Sequence, residues 1–448
     1  MGKAVEQLLA TREAGNAYTV PHGAISALQI EAMDERLQER IDTIRLVKLR
    51  ADEAGITRVR SFADMVPLLL PHTAYKSYPE SFLSGGRWDR LTKWLGTVSA
   101  HPLDHVDLDG IGDIDAWIAR LEAAGHYVSC TSGTTGKSAM LVGSKADMDW
   151  AGADSVSACA WSTGIPPARD RLIFRLAPVA QLPRNVAIME AIHRDYGKPG
   201  SEMYAYPIPP ITVGSITRMV VLRKAMAEGS AQPSEIEEFE RTSATRAAAL
   251  DGAIGITVDR LMAARDEKLF MTGMWANLYK IAEALRARGL GGADFQDDNM
   301  MYVGGGLKGA DLPANYREFI RETLNLSEKR NFQMYGMQEI GSALPLCSAG
   351  RYHVPPWVVC LPLDRDGETL QPLGPGEIEG RAAFFDLSLD GRWGGVISGD
   401  RIEVTFEPCA CGAATPSIRD NVARYKDLVG DDKISCSGTV DAYVRGLG

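Results

Sequence analysis

Apolar residues recur at three- and four-residue steps along several stretches of the chain, a spacing that predicts amphipathic helices. In the stretch 25–54, five apolar residues follow this spacing among charged neighbours: Ile30, Met33, Leu37, Ile41 and Ile44. Glycine commonly stops a helix, and Gly125 and Gly289 end two further predicted helices. The predicted helices after residue 100 cover 113–124, 185–196, 215–227, 234–249 (capped by Ser234), 275–288 and 314–324.

Short apolar runs between these helices predict strands at 127–129, 171–176, 253–258 and 300–303. This alternation predicts an α/β core. After residue 340 the pattern changes to β-like pieces with glycine and proline turns, at 357–363, 377–385, 394–397 and 401–406. Such pieces predict an antiparallel or barrel-like subregion. We expect a mainly helical region over 1–115, the α/β core over 116–340, the β-rich subregion over 341–428 and a short C-terminal segment over 429–448.

Composition excludes several partners. The 448 residues are 45% hydrophobic and 24% charged, which is ordinary for a globular protein. The net charge is −10, and the sequence contains no basic run, so nucleic acid and anionic membranes are not expected as partners. No apolar run approaches the ~20 residues that span a bilayer, and no export signal is apparent. We expect a cytoplasmic protein; its oligomeric state is open, and a dimer fits the sequence.

The seven cysteines do not indicate disulfides. Their number is odd, and a long chain without an export signal argues against a disulfide framework. Five of them lie in the last quarter of the chain: Cys347, Cys360, Cys409, Cys411 and Cys436. This distribution indicates metal or thiol chemistry in that region.

The stretch 128–138 carries the strongest chemical signal. It contains Gly133, Gly136, Lys137 and six serine or threonine residues. Glycines let backbone N–H groups approach an anion, hydroxyls add donors, and lysine adds a positive charge. The spacing does not match the common P-loop, which needs G-x-x-x-x-G-K-[ST]. A polyphosphate-binding loop is favoured over an ordinary Ser/Thr/Gly-rich surface loop.

Gly304, Gly306 and Gly309 fit the G-x-G-x-x-G dinucleotide fingerprint after a predicted strand. This motif alone is weak. A nucleotide-contacting loop and a plain strand-to-helix turn are about equally supported, and a nicotinamide site ranks below both.

Two later motifs complete a nucleotide site. In Tyr335-Gly336-Met337-Gln338-Glu339, the tyrosine ring can stack on adenine, and Glu339 offers the hard oxygen that Mg²⁺ prefers. Gly399-Asp400 follows a predicted strand. Each motif read alone is also typical of an ordinary turn.

Together, the motif at 131–137, the Tyr335–Glu339 motif and Asp400 resemble, in the same order, the motifs of the adenylate-forming ligases. The chain is more narrowly similar to the phenylacetate–CoA ligases and to the acyl-protein synthetases of bacterial bioluminescence. Tyr75-Lys76-Ser77-Tyr78-Pro79 and His353-Val354-Pro355-Pro356-Trp357 resemble the second group, and Pro408-Cys409-Ala410-Cys411-Gly412 resembles the first. The resemblance implies a large domain of mixed sheets flanked by helices with a small β-barrel-like subregion, and a small mobile C-terminal domain that is mostly absent.

The resemblance also implies roles for individual residues. Glu339 would hold Mg²⁺, and Asp400 would bind the ribose, with Ser398 in place of the usual threonine. Arg424, in a motif like the family's Arg-x-x-Asp, would contact ribose and phosphate. The residues that would hold the phosphates of ATP are Ser132, Gly133, Thr134, Thr135, Gly136 and Lys137; those flanking the adenine are Gly304, Gly305, Gly306, Tyr335 and Gly336.

The C-terminal segment leaves the catalytic lysine open. The family's mobile domain brings a lysine to the adenylation centre, and residues 429–448 are too few to hold that domain. Lys137 is the first candidate for this cation, and Lys433 ranks well behind. Cys436 lies where acyl-protein synthetases carry an acyl group on a cysteine, and a thiolate is a strong nucleophile toward an acyl-adenylate. An inert cysteine in a loop is the stronger alternative.

Cys347, His353, Cys409 and Cys411 form a candidate zinc site, because thiolates and imidazole suit tetrahedral Zn²⁺. The spacing C-x5-H followed by C-x-C is not a standard finger, but the phenylacetate–CoA ligases carry similar positions. With four protein ligands the metal would be structural. The alternative is four unrelated residues whose cysteines act as small buried hydrophobes.

These observations predict an acid–thiol ligase: an ATP- and Mg²⁺-dependent enzyme that converts an aryl or fatty acid to an acyl-adenylate and passes the acyl group to a thiol, either of CoA or of a protein cysteine. Two alternatives stay open, a nicotinamide-dependent oxidoreductase using Gly304–Gly309 and a catalytically silent nucleotide- or zinc-binding protein. The acid is expected to bind between 170 and 310, where Phe174, Phe270, Met271, Met274 and Trp275 are wall or core residues.

Overall fold

The computed structural model describes residues 2–131, 137–178, 181–305, 307 and 310–429. Over these residues the chain is a mixed α/β protein with several sheets. The helices are α1 (Lys3–Glu13), α2 (His22–Arg40), α3 (Arg45–Ala54), α4 (Phe62–Met65), α5 (Glu80–Ser84), α6 (Trp88–Leu95), α7 (Ile114–Ala123), α8 (Lys145–Thr163), α9 (Pro183–Tyr196), α10 (Val213–Ala227), α11 (Pro233–Ala263), α12 (Trp275–Ala287), α13 (Tyr316–Thr323) and α14 (Tyr425–Val429). No helix among the described residues is both long and apolar enough to cross a membrane.

The strands of the described residues are β1 (Leu70–Pro71), β2 (Tyr127–Cys130), β3 (Met140–Gly143), β4 (Leu172–Arg175), β5 (Leu269–Gly273), β6 (Met300–Val303), β7 (Asn331–Tyr335), β8 (Leu344–Pro345), β9 (Arg351–His353), β10 (Val358–Leu363), β11 (Ile378–Asp386), β12 (Gly395–Thr405), β13 (Ser417–Arg419) and β14 (Ala423–Arg424). Contacts divide the chain into two compact units. Unit 1 comprises Met1–Asp154, Leu182–Arg184 and Gly336–Gly448, and unit 2 comprises Ser155–Gln181 and Asn185–Tyr335.

Unit 1 contains a seven-stranded sheet centred on β12. Its strands run in the order β10-β11-β12-β13-β9, and β1 and β14 also pair with β12. All pairs are antiparallel except β1 with β12, where Leu70 lies opposite Val396 and Pro71 opposite Ile397. An early segment of the chain is therefore built into a sheet that is otherwise formed after residue 350. Strands β2 and β3 form a separate antiparallel hairpin.

Unit 2 contains the parallel strands β4, β5, β6 and β7, paired in that order. A hydrophobic cluster covers this sheet, with buried residues from α11, α12 and α13. Phe174, Met271 and Trp275 belong to that cluster, so three of the five candidate pocket-wall residues are core residues. Phe270 is also fully buried, and its ring meets Tyr196 edge-on at 5.2 Å between centroids.

Most predicted elements are present, with four corrections. The strands predicted at 394–397 and 401–406 are one strand, β12, which runs over Gly395–Thr405. The helix predicted over 25–54 is two helices, α2 and α3, separated at 41–44. The strand predicted over 253–258 is wrong, because these residues lie within the 31-residue helix α11, where Ala253 and Val258 face the core. The helix cap predicted at Ser234 is also wrong: Gln232 is the N-cap, followed by Pro233 in the first turn.

Candidate active site

The predicted phosphate loop is the tip of the β2–β3 hairpin. Ser132–Gly136 lie outside the described residues, but both ends of the loop are defined. Thr131 N–H donates to the Ala139 carbonyl (3.2 Å), and Ala139 N–H donates to the Thr131 hydroxyl (3.1 Å). The hairpin therefore continues one pair beyond the strands and brings the start and end of the loop together.

Lys137 lies at the end of that loop, against Tyr78. Its Nζ is 4.5 Å from the centroid of the Tyr78 ring, a cation–π distance. The Tyr78 hydroxyl donates to the Ser138 carbonyl at 2.7 Å, and the side chain is almost fully buried. Burial raises the pKa of Tyr78, so the phenol stays protonated and keeps donating. The segment 75–79 therefore supports the phosphate loop directly.

Glu339 is a buried carboxyl group with basic neighbours. It is 7% exposed, and burial raises its pKa, while the charges of Arg392 and Lys76 act in the opposite direction. The charge of Asp400 raises the pKa of Glu339 further. An ionised Glu339 needs a cation nearby, and its position among other charged groups fits a metal ligand.

Arg392 connects the Glu339 segment to the phosphate hairpin. Its guanidinium donates to the carbonyls of Val142 on β3 (2.9 Å), Gln338 (2.8 Å) and Glu339 (3.2 Å). The buried guanidinium of Arg184 donates to the carbonyls of Met337 (2.9 Å) and Gly341 (3.1 Å). Two arginines thus hold the irregular segment 337–341, whose carbonyls have no regular partner strand to bond.

Asp400 and Arg424 lie opposite each other on two neighbouring strands. They are register partners in the β12–β14 pair, and Arg424 Nε lies 3.7 Å from Asp400 Oδ1. Asp400 N–H donates to the Ser398 hydroxyl at 3.0 Å, so this serine holds the backbone at Asp400. Because Arg424 is 56% exposed, this ion pair contributes little stability.

Tyr335 and the glycine loop lie at one edge of the unit 2 sheet. Val303 pairs with Gln333 in the parallel β6–β7 ladder, so Gly304, directly after β6, and Tyr335, the last residue of β7, lie at the carboxyl ends of adjacent strands. Gly304 N–H donates to the Gly273 carbonyl at 3.1 Å, and Gly305 has φ +76°, a conformation that favours glycine. This edge of an α/β sheet is where ligands commonly bind. Gly306 lies outside the described residues.

Comparison with solved structures assigns this architecture. A crystal structure of a 2-hydroxyisobutyryl-CoA ligase in an open conformation, in complex with 2-HIB-AMP and CoA, matches 91% of this chain and 71% of that ligase, with a TM-score of 0.55 and 13% sequence identity. The chain has the fold of the adenylate-forming CoA ligases. At this identity the likeness concerns the fold alone.

Two further solved structures overlap the chain less well. MatB from Rhodopseudomonas palustris is 14% identical over 65% of this chain and 46% of its own, with a TM-score of 0.37. The O-succinylbenzoate coenzyme A synthetase MenE of Bacillus subtilis, in complex with AMP, is 15% identical over 67% of this chain and 61% of its own, with a TM-score of 0.32. Both TM-scores lie below 0.5, so these two structures carry no argument about this chain. No sequence-family model matches the chain, and no curated protein sequence does.

The local geometry of the glycine loop disfavours the nicotinamide alternative. In the dinucleotide fingerprint the glycines open a helix whose N-terminus holds the pyrophosphate. Here Ala310–Asn315 are not helical, and α13 begins only at Tyr316, seven residues after Gly309. Among the described residues around this loop, no helix N-terminus is placed to receive a dinucleotide in that way.

The four predicted zinc ligands come together in unit 1. Their ligand atoms all lie within 4.8 Å of one another, and no other such group of three or more ligands occurs among the described residues. Cys347 Sγ is 3.9 Å from Cys409 Sγ, and Cys411 Sγ is 3.4 Å from His353 Nε2. Cys360 lies outside this group, buried in β10.

The sheet and a tight turn build this cluster. His353 on β9 pairs with Ser417 on β13, which places the turn before β13 next to β9. In that turn Gly412 has φ +93° and donates to the Cys409 carbonyl at 2.9 Å, which lets both sulfurs of the C-x-C pair face inward. His353 Nδ1 lies 3.2 Å from the Thr415 hydroxyl, leaving Nε2 toward the sulfurs. Burial lowers the pKa of His353 to about 4, so the ring is neutral, as a metal ligand must be.

The structure adds three residues to the site that motif reading did not assign: Lys76, Tyr78 and Arg392. Lys76 and Tyr78 lie in the Tyr75–Pro79 stretch. That stretch resembles the acyl-protein synthetases in sequence, but the sequence gives no role for either side chain. Arg392 gives no sequence signal. Lys433 and Cys436 lie outside the described residues, so their predicted roles stay predictions.

Proposed function

We propose that this protein uses ATP to activate a carboxylic acid as an acyl-adenylate and then transfers the acyl group to a thiol. One observation carries the proposal: unit 1 gathers the phosphate hairpin, Glu339 and Asp400 around shared charged groups. Arg392 bonds to the hairpin and to the Glu339 segment, and the charges of Lys76 and Asp400 both act on Glu339. The phosphate loop lies about 200 residues before Glu339 and about 260 before Asp400 in the sequence, and the fold is one whose solved example holds 2-HIB-AMP and CoA.

Different residues bind the phosphates, the ribose and the adenine of ATP. Ser132–Lys137 hold the β- and γ-phosphates, and Asp400 and Arg424 bind the ribose. Tyr335 and Gly336, with the loop at Gly304–Gly306, flank the adenine. Glu339 would hold Mg²⁺, which supplies charge neutralisation of the phosphates when bound.

The reaction needs no general base. A carboxylate oxygen attacks the α-phosphorus, the new O–P bond forms, and the bond from that phosphorus to the bridging oxygen of the β-phosphate breaks. Pyrophosphate leaves with its electron pair. Two anions must approach each other, so catalysis rests on positioning and on positive charge around the α-phosphate. The second step is attack by a thiolate, of CoA or of Cys436, on the acyl carbon, with AMP as leaving group.

The Cys347–His353–Cys409–Cys411 cluster fits a structural zinc ion. Tetrahedral coordination with Zn–S bonds of about 2.3 Å separates two sulfurs by about 3.8 Å, close to the 3.9 Å between Cys347 and Cys409. Four protein ligands leave no open position for substrate. The ion would fasten the β9 region to the turn after β12, the strand that carries Asp400.

Exchange of labelled pyrophosphate into ATP tests the function. With the full-length protein, Mg²⁺ and a panel of aryl and fatty acids, we expect exchange that depends on at least one acid. Adding CoA to the same reaction and testing the protein for covalent acyl label separate the two acceptors. ATP binding without exchange for any acid would instead support the catalytically silent alternative and overturn the proposal.

A further inference from the structure

The end of α10 and the first half of α11 bury no residue. The buried positions of α10 stop at Val220, and those of α11 start at Ala253. Every residue between them is described, and each is exposed or half-buried. We call residues 221–252 the helical arm. Its part of α11, residues 233–252, is about 30 Å long.

Little within the chain stabilises the arm as a helix. Most helical stability in proteins comes from burial of one apolar face, and a helix without packed neighbours is only marginally stable in water. Local interactions are present: Gln232 and Glu235 form a capping box, and Glu238 pairs with Arg241. Such interactions are weak compared with the burial of a helix face. The arm therefore lacks the packing that ordinarily supports a helix of this length.

One face of α11 continues without a break from the core into the arm. Near the core this face is covered, at three- and four-residue steps, through Leu250, Ile254, Thr257 and Leu261. The same steps continue along the arm through four further residues, which we call the arm face: Ile236, Phe239, Ser243 and Ala247. Ile236 and Phe239 are half-buried, whereas Ser243 and Ala247 are exposed. A helix face with the spacing of a packed surface is thus open on the arm.

The charges of the arm identify what covers this face. Acidic side chains come first on α11, at Glu235, Glu237, Glu238 and Glu240, and basic side chains follow, at Arg241 and Arg246. A helix whose acidic block precedes its basic block is complementary to an identical helix in the antiparallel orientation, because each block then lies opposite its counterpart. A second copy of this chain therefore carries the charge pattern that the arm requires of a partner.

We propose that the arm is a dimerisation surface, on which α11 of a second copy lies antiparallel across a twofold axis at Ser243. The axis places residues equally distant from Ser243 opposite each other. Phe239 then packs on Ala247 of the second copy, and Glu240 pairs with Arg246 of the second copy. Each contact occurs twice, because both copies use the same patch. This assembly does not depend on the proposed function.

Two neighbouring alanines test which side of the helix binds. Ala247→Arg places a long charged side chain on the arm face, and Ala248→Arg places the same side chain about 100° farther round the helix. Both alanines are exposed, so neither change should unfold the arm. In sedimentation equilibrium at about 1–100 µM protein, wild type and Ala248→Arg should have twice the 48.6 kDa mass of one chain. Ala247→Arg should weaken association by at least about tenfold.

Ser243→Cys tests the position of the axis. Two thiols at this position meet across the axis, so mild oxidation should link two chains through a disulfide that reduction breaks. Ser234→Cys is the control on the same helix, because its two copies would lie about 27 Å apart along the antiparallel pair. It should cross-link no more than wild type, which contains the native cysteines.

Charge reversal tests the pairing. Glu240→Arg and Arg246→Glu should each weaken the dimer about tenfold, since like charges then meet twice, and the two changes combined should restore association to within about threefold of wild type. A wild type that stays monomeric over the whole concentration range overturns the proposal. A dimer that Ala247→Arg leaves intact, or that Ala248→Arg weakens equally, also overturns it, because the arm face then does not hold the copies together. Equal cross-linking of Ser243→Cys and Ser234→Cys would reject the axis.

Discussion

At the residue scale, unit 1 keeps acidic groups where burial opposes their charge. Glu339 and Asp154 are both buried acids in unit 1. Burial raises the pKa of Glu339 and raises that of Asp154 to about 7. Asp154 accepts one hydrogen bond, from Ala343 N–H at 2.7 Å, and lies near Arg12 and Arg184. A raised pKa means that the folded protein binds more protons than the unfolded chain, so stability falls as pH rises through the interval between the two values.

Glu339→Gln should therefore raise the free energy of unfolding of the ligand-free protein at pH 8. It should also reduce pyrophosphate exchange by about 100-fold or more, because the uncharged amide cannot neutralise the charge of Mg²⁺. Thermal unfolding at pH 4 and pH 8, with exchange measured on the same samples, checks both effects. The stability gain should vanish at pH 4, where the wild-type carboxyl is protonated in both states.

Asp154→Asn is the control for Glu339→Gln. It should gain stability on the order of 4 kcal/mol at pH 8 and none near pH 4, and it should keep wild-type exchange because Asp154 has no role in the proposed site. A Glu339→Gln variant that exchanges as fast as Asp154→Asn would remove Glu339 from the metal site.

At the element scale, β12 organises unit 1. It pairs with β1, β11, β13 and β14, and so brings together residues 70 and 424. The turn after β12 carries Cys409 and Cys411, and β13 aligns it with His353. Cys→Ser substitution at this turn should therefore loosen one end of the strand that carries Asp400.

Protein purified without chelator should contain one zinc per chain, and Cys409→Ser should contain much less, since a hydroxyl is a poor replacement for a thiolate ligand. Metal content by mass spectrometry and the Tm with and without chelator measure this. A chelator should lower the Tm of wild type and leave that of Cys409→Ser nearly unchanged. Cys360→Ala, buried but outside the cluster, should retain the metal; equal metal content in all three proteins would contradict the site.

At the scale of the whole molecule, unit 1 is assembled from stretches far apart in the sequence. Buried side chains of α2 bond to segments more than 300 residues later. Gln29 donates to the Pro356 carbonyl (2.8 Å), Arg36 donates to the Leu387 carbonyl (2.6 and 3.1 Å), and Arg40 pairs with Asp390 (3.1 Å). Without residues after 335 these buried groups of α2 lose these partners, and Glu39 on the same helix is left to pair with the two arginines.

A chain ending at Tyr335 should therefore leave residues 1–154 unfolded, although it retains every helix of that region. Hydrogen exchange with mass spectrometry should show loss of protection over α2. A chain ending at Val429, which keeps all these partners, is the control and should be protected like the full-length protein. Full protection of α2 in the shorter chain would show that the N-terminal region folds without the sheet.

Local sequence signals specified some elements of the fold and not others. The helix at 113–124 and the strand at 127–129 were predictable because Asp113 caps the helix and Gly125, at φ +90°, ends it. The stretch 253–258 was predicted wrongly because a short apolar run fits a buried strand and a buried helix equally well, and only packing against the core decides between them. The break at 41–44 in the first predicted helix had no local signal, since the apolar spacing continues across it.

The sequence by itself determined the chemistry: the phosphate-loop composition, the Tyr335–Glu339 motif, Asp400 and the Cys/His set all depend on residue type and local spacing. Only the tertiary structure decided which groups meet. It brought Cys347, His353, Cys409 and Cys411 within ligand distance, and it joined the phosphate hairpin to the Glu339 segment through Arg392. The physical reason is that a short parallel strand, β1, pairs across more than 300 residues, and no local pattern encodes the partner of a two-residue strand.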